Sequence, residues 1–134
     1  RKAALQRRVD AGTPIGLLGY DGDEPVAWVS VAARPTYRRL NGPDDHHADP
    51  DSVWSLACFY VRRADRHRGV MRRLIEAAAD HARRHGASIL EAYPVAADAS
   101  SYRFMGFVPV FEAAGFRAVG KAGSIRTAMR LALR

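Results

Sequence analysis

The sequence is short of several things, and each shortage excludes something. Among its 134 residues there is a single cysteine, Cys58, so no disulfide can form within the chain and a reducing compartment suits it. Cys58 lies in an apolar stretch and reads as a small core residue, not a nucleophile. No apolar run reaches the roughly 18 residues of a membrane-spanning helix, and no signal peptide opens the chain. The expectation is a cytoplasmic protein with no membrane partner. The length is too small for two ordinary domains and leaves one, spanning 1–134. The first residue is Arg1, not Met, and the domain is expected to be N-terminally incomplete. Lysine is nearly missing too: of 21 basic residues only Lys2 and Lys121 are lysine, an arginine bias that fits a GC-rich bacterial genome.

What is present is positive charge, +7 net with a pI near 10.3. That points to an anionic partner without naming it. Residues 2–9 look like the tail of a helix, 16–20 a short strand, 21–23 a turn and 26–33 a second strand. Residues 34–51 hold three prolines and many polar groups, and at that length read as a functional loop. Val53 to Val61 is apolar almost throughout, as a central strand covered on both faces should be. From Gly69 to His85 the period turns helical, with Val70, Leu74, Ala78 and Ala82 on one stripe, and Gly86 is a natural stop. A strand over 89–93, a helix over 109–115 starting at Pro109, and a final hairpin over 117–120 and 125–133 complete the order. The fold class is mixed α/β.

The most informative feature lies between the central strand and the long helix. Arg62, Arg63, Arg66, Arg68, Arg72 and Arg73 crowd a helix start, where the macrodipole is already positive. An anion held by the free N–H groups of the first turn would give that placement a reason. A solvated arginine surface and a basic face for nucleic acid are the rivals. The clustering at one turn, without a long stripe interleaved with aromatics, weakens the second.

The segment from Val61 to Met71 resembles the acetyl-CoA loop of the GNAT acetyltransferase superfamily, Gln/Arg-x-x-Gly-x-Gly/Ala. Arg66 matches the leading residue and Gly69 the first glycine, while Met71 stands where the pattern has a second small residue. Phe111-Glu-Ala-Ala-Gly115-Phe116 is similar to the family's Tyr-Glu-x-x-Gly-Phe helix end, with Phe in place of Tyr. The resemblance covers 15–134. It implies a mostly antiparallel sheet with helices on both faces, splayed between the central strand and the strand over 89–93, and an acetyl-CoA donor. Backbone amides of Arg66, His67, Arg68, Gly69, Val70 and Met71 would cradle the pyrophosphate. Phe59, Tyr60 and Val61 would pair with the pantetheine arm, one of their N–H groups polarising the thioester carbonyl. The family's opening strand and helices would be missing here, so an exposed apolar edge over 16–33 is expected, and with it a homodimer.

Acyl transfer to an amine needs a group to take the ammonium proton and one to protonate the leaving thiolate. Phe111 cannot donate a proton, which leaves Tyr102 as the candidate acid; packing is its other reading. For the base, the central strand offers no carboxylate, and Glu91 in the neighbouring strand is the candidate; a salt-bridged Glu is the alternative. Asp44, Asp45, His46, His47, Asp49 and Asp51 show no metal-ligand spacing, and no metal is expected. His81 and His85 share a helix face but lack the zincin glutamate, and read as helix-surface or packing residues. The sequence thus points to an N-acetyltransferase acting on a small-molecule or peptide amine, with no nucleic-acid partner. A non-catalytic acyl-CoA-binding module and a basic nucleic-acid-binding domain stay open at this point.

Overall fold

A computed structural model describes residues 16–37, 40, 42 and 52–134. Six strands form one sheet in the order β1-β2-β3-β4-β6-β5: β1 (Leu17–Asp21), β2 (Glu24–Ala33), β3 (Val53–Val61), β4 (Ile89–Ala92), β5 (Arg117–Ala122) and β6 (Arg126–Ala132). Only β3 and β4 run parallel; the other four pairings are antiparallel. Two α-helices are described, α1 (Val70–Arg84) and α2 (Val108–Ala113). Three single 3-10 turns, over Arg34–Thr36, Arg63–Asp65 and Arg103–Met105, were not foreseen from the sequence. The helix expected over 2–9 lies outside the described residues, as do Asp44, Asp45, His46, His47, Asp49 and Asp51.

Local chemistry explains the boundaries. Gly22 takes the left-handed conformation (φ 62°) that the tight β1–β2 turn demands. Helix α1 buries Leu74, Ile75, Ala78, Ala79 and Ala82 on one stripe and leaves its charges outside. It ends at a left-handed Gly86, with Gly86 N–H donating to Arg83 O and Ala87 N–H to Ala82 O, so the last carbonyls are satisfied. Strand β4 stops one residue early, at Ala92, because Tyr93-Pro94 leads the chain out of the ladder. Pro94 O still accepts from Thr127 N–H at 2.8 Å, so the departing chain stays beside the last strand.

The two faces of the sheet differ. On the first, Val29, Val31, Trp54, Leu56 and Phe59 pack under α1 and α2 into one apolar core. Phe111 of α2 meets Phe59 and Phe116 edge-on, with centroids 5.9 and 5.0 Å apart. Both described α-helices therefore share this face. On the second, Tyr93, Met105, Ala122 and Ala128 form a small cluster against Leu40. Ser55 and Glu91 are buried there, polar groups that must find partners inside the protein. No described helix is long and apolar enough to cross a membrane.

Candidate active site

Strand β3 has nine residues and β4 only four. The rungs Val53–Ile89, Trp54–Leu90, Ser55–Glu91 and Leu56–Ala92 are made, and then β3 runs on alone along that side to Val61. The sheet forks where β4 leaves. Pairing with β2 continues to Val61 but skips a residue: Val31 faces Leu56 while Ser30 faces Cys58, so Ala57 is an extra residue, a bulge at the base of the fork. Bulges bend a strand and re-aim its side chains. Beyond it Phe59 and Val61 face the helices, whereas Cys58 and the exposed Tyr60 face the second side.

Backbone direction alternates along a strand. Arg62 N–H donates to Val26 O of β2 at 2.7 Å. By that alternation Tyr60 also turns its amide toward β2, and Phe59 and Val61 turn theirs into the fork. Of the three residues expected to line an acyl-pantetheine arm, two offer backbone groups there; Tyr60 offers an exposed side chain instead.

The loop after β3 brings Arg66, His67, Arg68, Gly69, Val70 and Met71 to the fork's end. Both His67 (φ 63°) and Gly69 (φ 73°) are left-handed, and a Cβ added at Gly69 would meet nothing within 4 Å. Side-chain-free space at that point is what close approach of a ligand to the backbone requires. Among the described residues no backbone carbonyl accepts from the amides of residues 67–72, so these N–H groups at the positive end of the helix dipole are left for solvent or a ligand. Met71 is partly buried against the core, so its long side chain does not fill the cradle.

The arginines are less free than their density implied. Asp65, buried in the loop, accepts from Arg62 Nε at 2.7 Å and pairs with Arg68 at 3.8 Å; Glu24 holds the other end of Arg62. The Arg62 guanidinium is raised above its ordinary pKa, chiefly by the Asp65 hydrogen bond, against burial. Arg72 pairs with Glu76 at 3.1 Å along the helix. Arg66 donates to Val61 O at 3.1 Å and Arg73 to Arg68 O at 3.3 Å, each through one nitrogen, leaving other donors for a phosphate. A share of the cluster is thus structural and correctly neutralised by three carboxylates the sequence reading did not connect to it. A cleft of about 550 Å³ lies on the far flank of α1, between its first turns and β1, and Arg68 and Arg73 reach it too. There Leu18 and Tyr20 of β1 are 54% and 59% exposed, within the stretch where an apolar edge was expected.

The two residues singled out for proton transfer sit apart from each other. Tyr102 lies just before the 3-10 turn, left-handed (φ 59°) and 44% exposed, with the Arg126 guanidinium 5.0 Å over its ring. It belongs to no α-helix, and the segment it opens reaches β3 through Gly106, whose added Cβ would lie 3.5 Å from the Phe59 ring. Glu91 is fully buried. Its Oε1 accepts from Tyr93 OH at 2.7 Å and pairs with Arg34 Nη1 at 3.6 Å; its Oε2 meets Arg130 Nε at 2.7 Å and Nη2 at 2.6 Å. Tyr93 OH also shares a 2.7 Å hydrogen bond with Ser55 Oγ, and burial pushes its pKa well up. Sequence reasoning missed Ser55, Tyr93, Arg130 and Arg34; the only signal was Arg130 at an otherwise apolar strand position. His81 and His85 pack on Trp54, as expected of them, with centroids 5.7 and 5.4 Å away. Among the described residues no cluster could hold a metal ion.

Comparisons with known proteins bear on the fold and the family. The sequence profile of the Acetyltransferase (GNAT) family matches residues 4–107. Among solved structures, the ribosomal-protein-alanine N-acetyltransferase from Brucella melitensis superposes with a TM-score of 0.65 at 21% identity, over 98% of this chain and 76% of that one. A GCN5-related N-acetyltransferase from Kribbella flavida gives 0.65 at 19%, over 96% and 76%. A Salmonella typhimurium protein solved with its cofactor acetyl-CoA gives 0.65 at 20%, over 98% and 71%. A search of curated proteins finds no match. With the profile spanning most of its length, the chain belongs to the GNAT acetyltransferase family.

Proposed function

We propose that this protein moves an acetyl group from acetyl-CoA to a primary amine, both bound at once. One observation carries the reading: the fork-facing backbone of Phe59 and Val61 leads straight into the unpartnered amides of residues 67–72. A thioester arm laid along the first and a diphosphate seated on the second is the ligand that uses both. Arg66, Arg68 and Arg73 would add charge-assisted hydrogen bonds to the diphosphate.

In the reaction the amine lone pair attacks the thioester carbon, an N–C bond forms, and the C–S bond breaks to release CoA thiolate. A fork-facing N–H from Phe59 or Val61 is placed to stabilise the oxyanion. The acceptor ammonium first loses a proton, and its nitrogen sheds a second once the N–C bond has formed; both pass to solvent through water along backbone carbonyls. Tyr102, exposed just before the turn that leads to Gly106 beside Phe59, is the proposed donor to the departing sulfur. Glu91 is enclosed with both oxygens engaged, and Phe59 lies four residues past its rung, roughly 13 Å along the strand. No amine can touch it, so its contribution is sought elsewhere.

Calorimetry with acetyl-CoA and CoA, followed by thiol release with benzylamine, spermidine and a lysine-containing peptide, tests the proposal. Micromolar to submillimolar binding and amine-dependent release are expected; no binding at millimolar acetyl-CoA would overturn it. Phe111, buried between two other phenyl rings and unable to donate a proton, favours a second reading, an acyl-CoA-binding module. That reading predicts binding without turnover. Tyr102→Phe should lower kcat by about tenfold or more with little change in cofactor affinity.

A further inference from the structure

The second face of the sheet carries a connected set of polar groups that the chemistry above leaves unused. It begins at the segment following β2. Arg34 reaches Glu91 Oε1, and Gly42 lies so close that an added Cβ would stand 2.7 Å from the same oxygen and 3.1 Å from Tyr93 Cε1. From Glu91 the hydrogen bonds pass through Tyr93 OH to Ser55 on β3, one rung before the fork opens. Arg130 ties the same carboxylate to β6. Past the fork, Tyr37 OH shares a 2.8 Å hydrogen bond with Ser30, the β2 residue opposite Cys58. Arg34 and Gly42 on one side, and Tyr37 on the other, therefore meet the sheet on both sides of the point where β4 departs.

On the helical face the fork is closed over by Phe59, Phe111 and α1. On the second face stand Cys58, the exposed Tyr60 and these three residues, so an incoming amine meets them first. We infer that Glu91 is a positioning residue: it fixes Arg34 and Gly42, on the second face beside the fork, and so sets where the acceptor amine stands relative to the thioester. The inference rests on the acetyl-transfer reading above. A single carboxylate is suited to the task because it engages Arg34, Tyr93 and Arg130 from three elements at once. Charge-assisted hydrogen bonds from Tyr93 and Arg130 hold the buried carboxylate tightly, and its 3.6 Å ion pair carries that hold to Arg34.

Two variants address it. Gly42→Ala forces the backbone there away from Oε1 while leaving the Glu91 charge in place; Glu91→Gln keeps the shape and removes the charge. Each is measured for hydrogen exchange at the amides of Arg34, Thr36 and Tyr37, for acetyl-CoA affinity, and for kcat and acceptor KM across pH with whichever of the three amines above is turned over fastest. Exchange at 34–37 should quicken about tenfold in both variants. Acceptor KM should rise about fivefold or more, with kcat, the acetyl-CoA Kd and the shape of the pH profile held within about threefold.

A hundredfold fall in kcat for Glu91→Gln with loss of the acid limb of the profile would overturn the inference and make Glu91 a base. Unaltered exchange at 34–37 in both variants would overturn it as well, even if no amine reacts. Should Glu91→Gln fail to fold, Gly42→Ala decides alone, since its added methyl crowds only Glu91 and Tyr93 and leaves both side chains in place. Failure of the unaltered protein to bind acetyl-CoA counts against the acetyl-transfer reading, whereas the exchange experiment judges the mooring separately.

Discussion

The two halves of β3 are built from the same kind of residue and do different work. Val53 to Leu56 are all buried and are flanked by strands on both sides; from Ala57 to Val61 the strand has β2 on one side only. An apolar run of nine suggests uniform burial, yet the difference comes from the neighbour that stops. Four residues of β4 support the first half, and the Tyr93-Pro94 exit leaves the second half with unused backbone. Burial and pairing on both sides are concentrated in one half, and an edge without a neighbouring strand in the other.

Substitutions in the two halves should separate these properties. The largest effect is expected at Leu56, fully buried between strands: Leu56→Ala should cost about 3 kcal/mol in urea unfolding, against about 1 kcal/mol for Val61→Ala at the half-exposed end. Equal costs would mean the fork does not mark a change in support. Tyr93→Phe is next. It removes the hydroxyl shared by Ser55 and Glu91 in a dry setting and should cost about 1–3 kcal/mol with the urea m-value unchanged.

The smallest effect concerns the closed end, where Trp54 lies under His81 and His85. Burial, then the charges of His85 and Arg84, hold the His81 pKa below its usual 6.5 against the pull of Asp80. The folded state therefore binds its proton more weakly than the unfolded chain does. Stability should decline as pH falls through 6.5 toward the lower folded value, and stay level above it. Thermal unfolding at pH 5.0 and 7.5 measures this, and His81→Gln should narrow the gap between the two midpoints. A gap that the substitution leaves intact would place the pH dependence elsewhere.

The order of elements and the cradle were legible because each depends on local chemistry. Apolar alternation, a helical stripe ending at Gly86, and a glycine ahead of a helix start are short-range signals. The fork itself followed only from the family resemblance; nothing local to Val53–Val61 marks where β4 will leave. The Glu91 network was out of reach for the same reason. Arg34, Ser55, Tyr93 and Arg130 come from four separate stretches, and their meeting depends on strand register, which no sequence window contains. The arginine cluster was legible as charge but misread in part. Glu24 stands 38 residues before Arg62, and only the β2–β3 pairing brings the two together.

Ala57 has a consequence of its own. It is surplus to the ladder, so Leu56 and Phe59, three apart, both look toward the helices. Excising it would leave every downstream side chain on its present side while straightening the ribbon. Shape and chemistry could then be varied one at a time: if β4 followed the straightened ribbon for a fifth rung, curvature alone would account for the opening between the two strands.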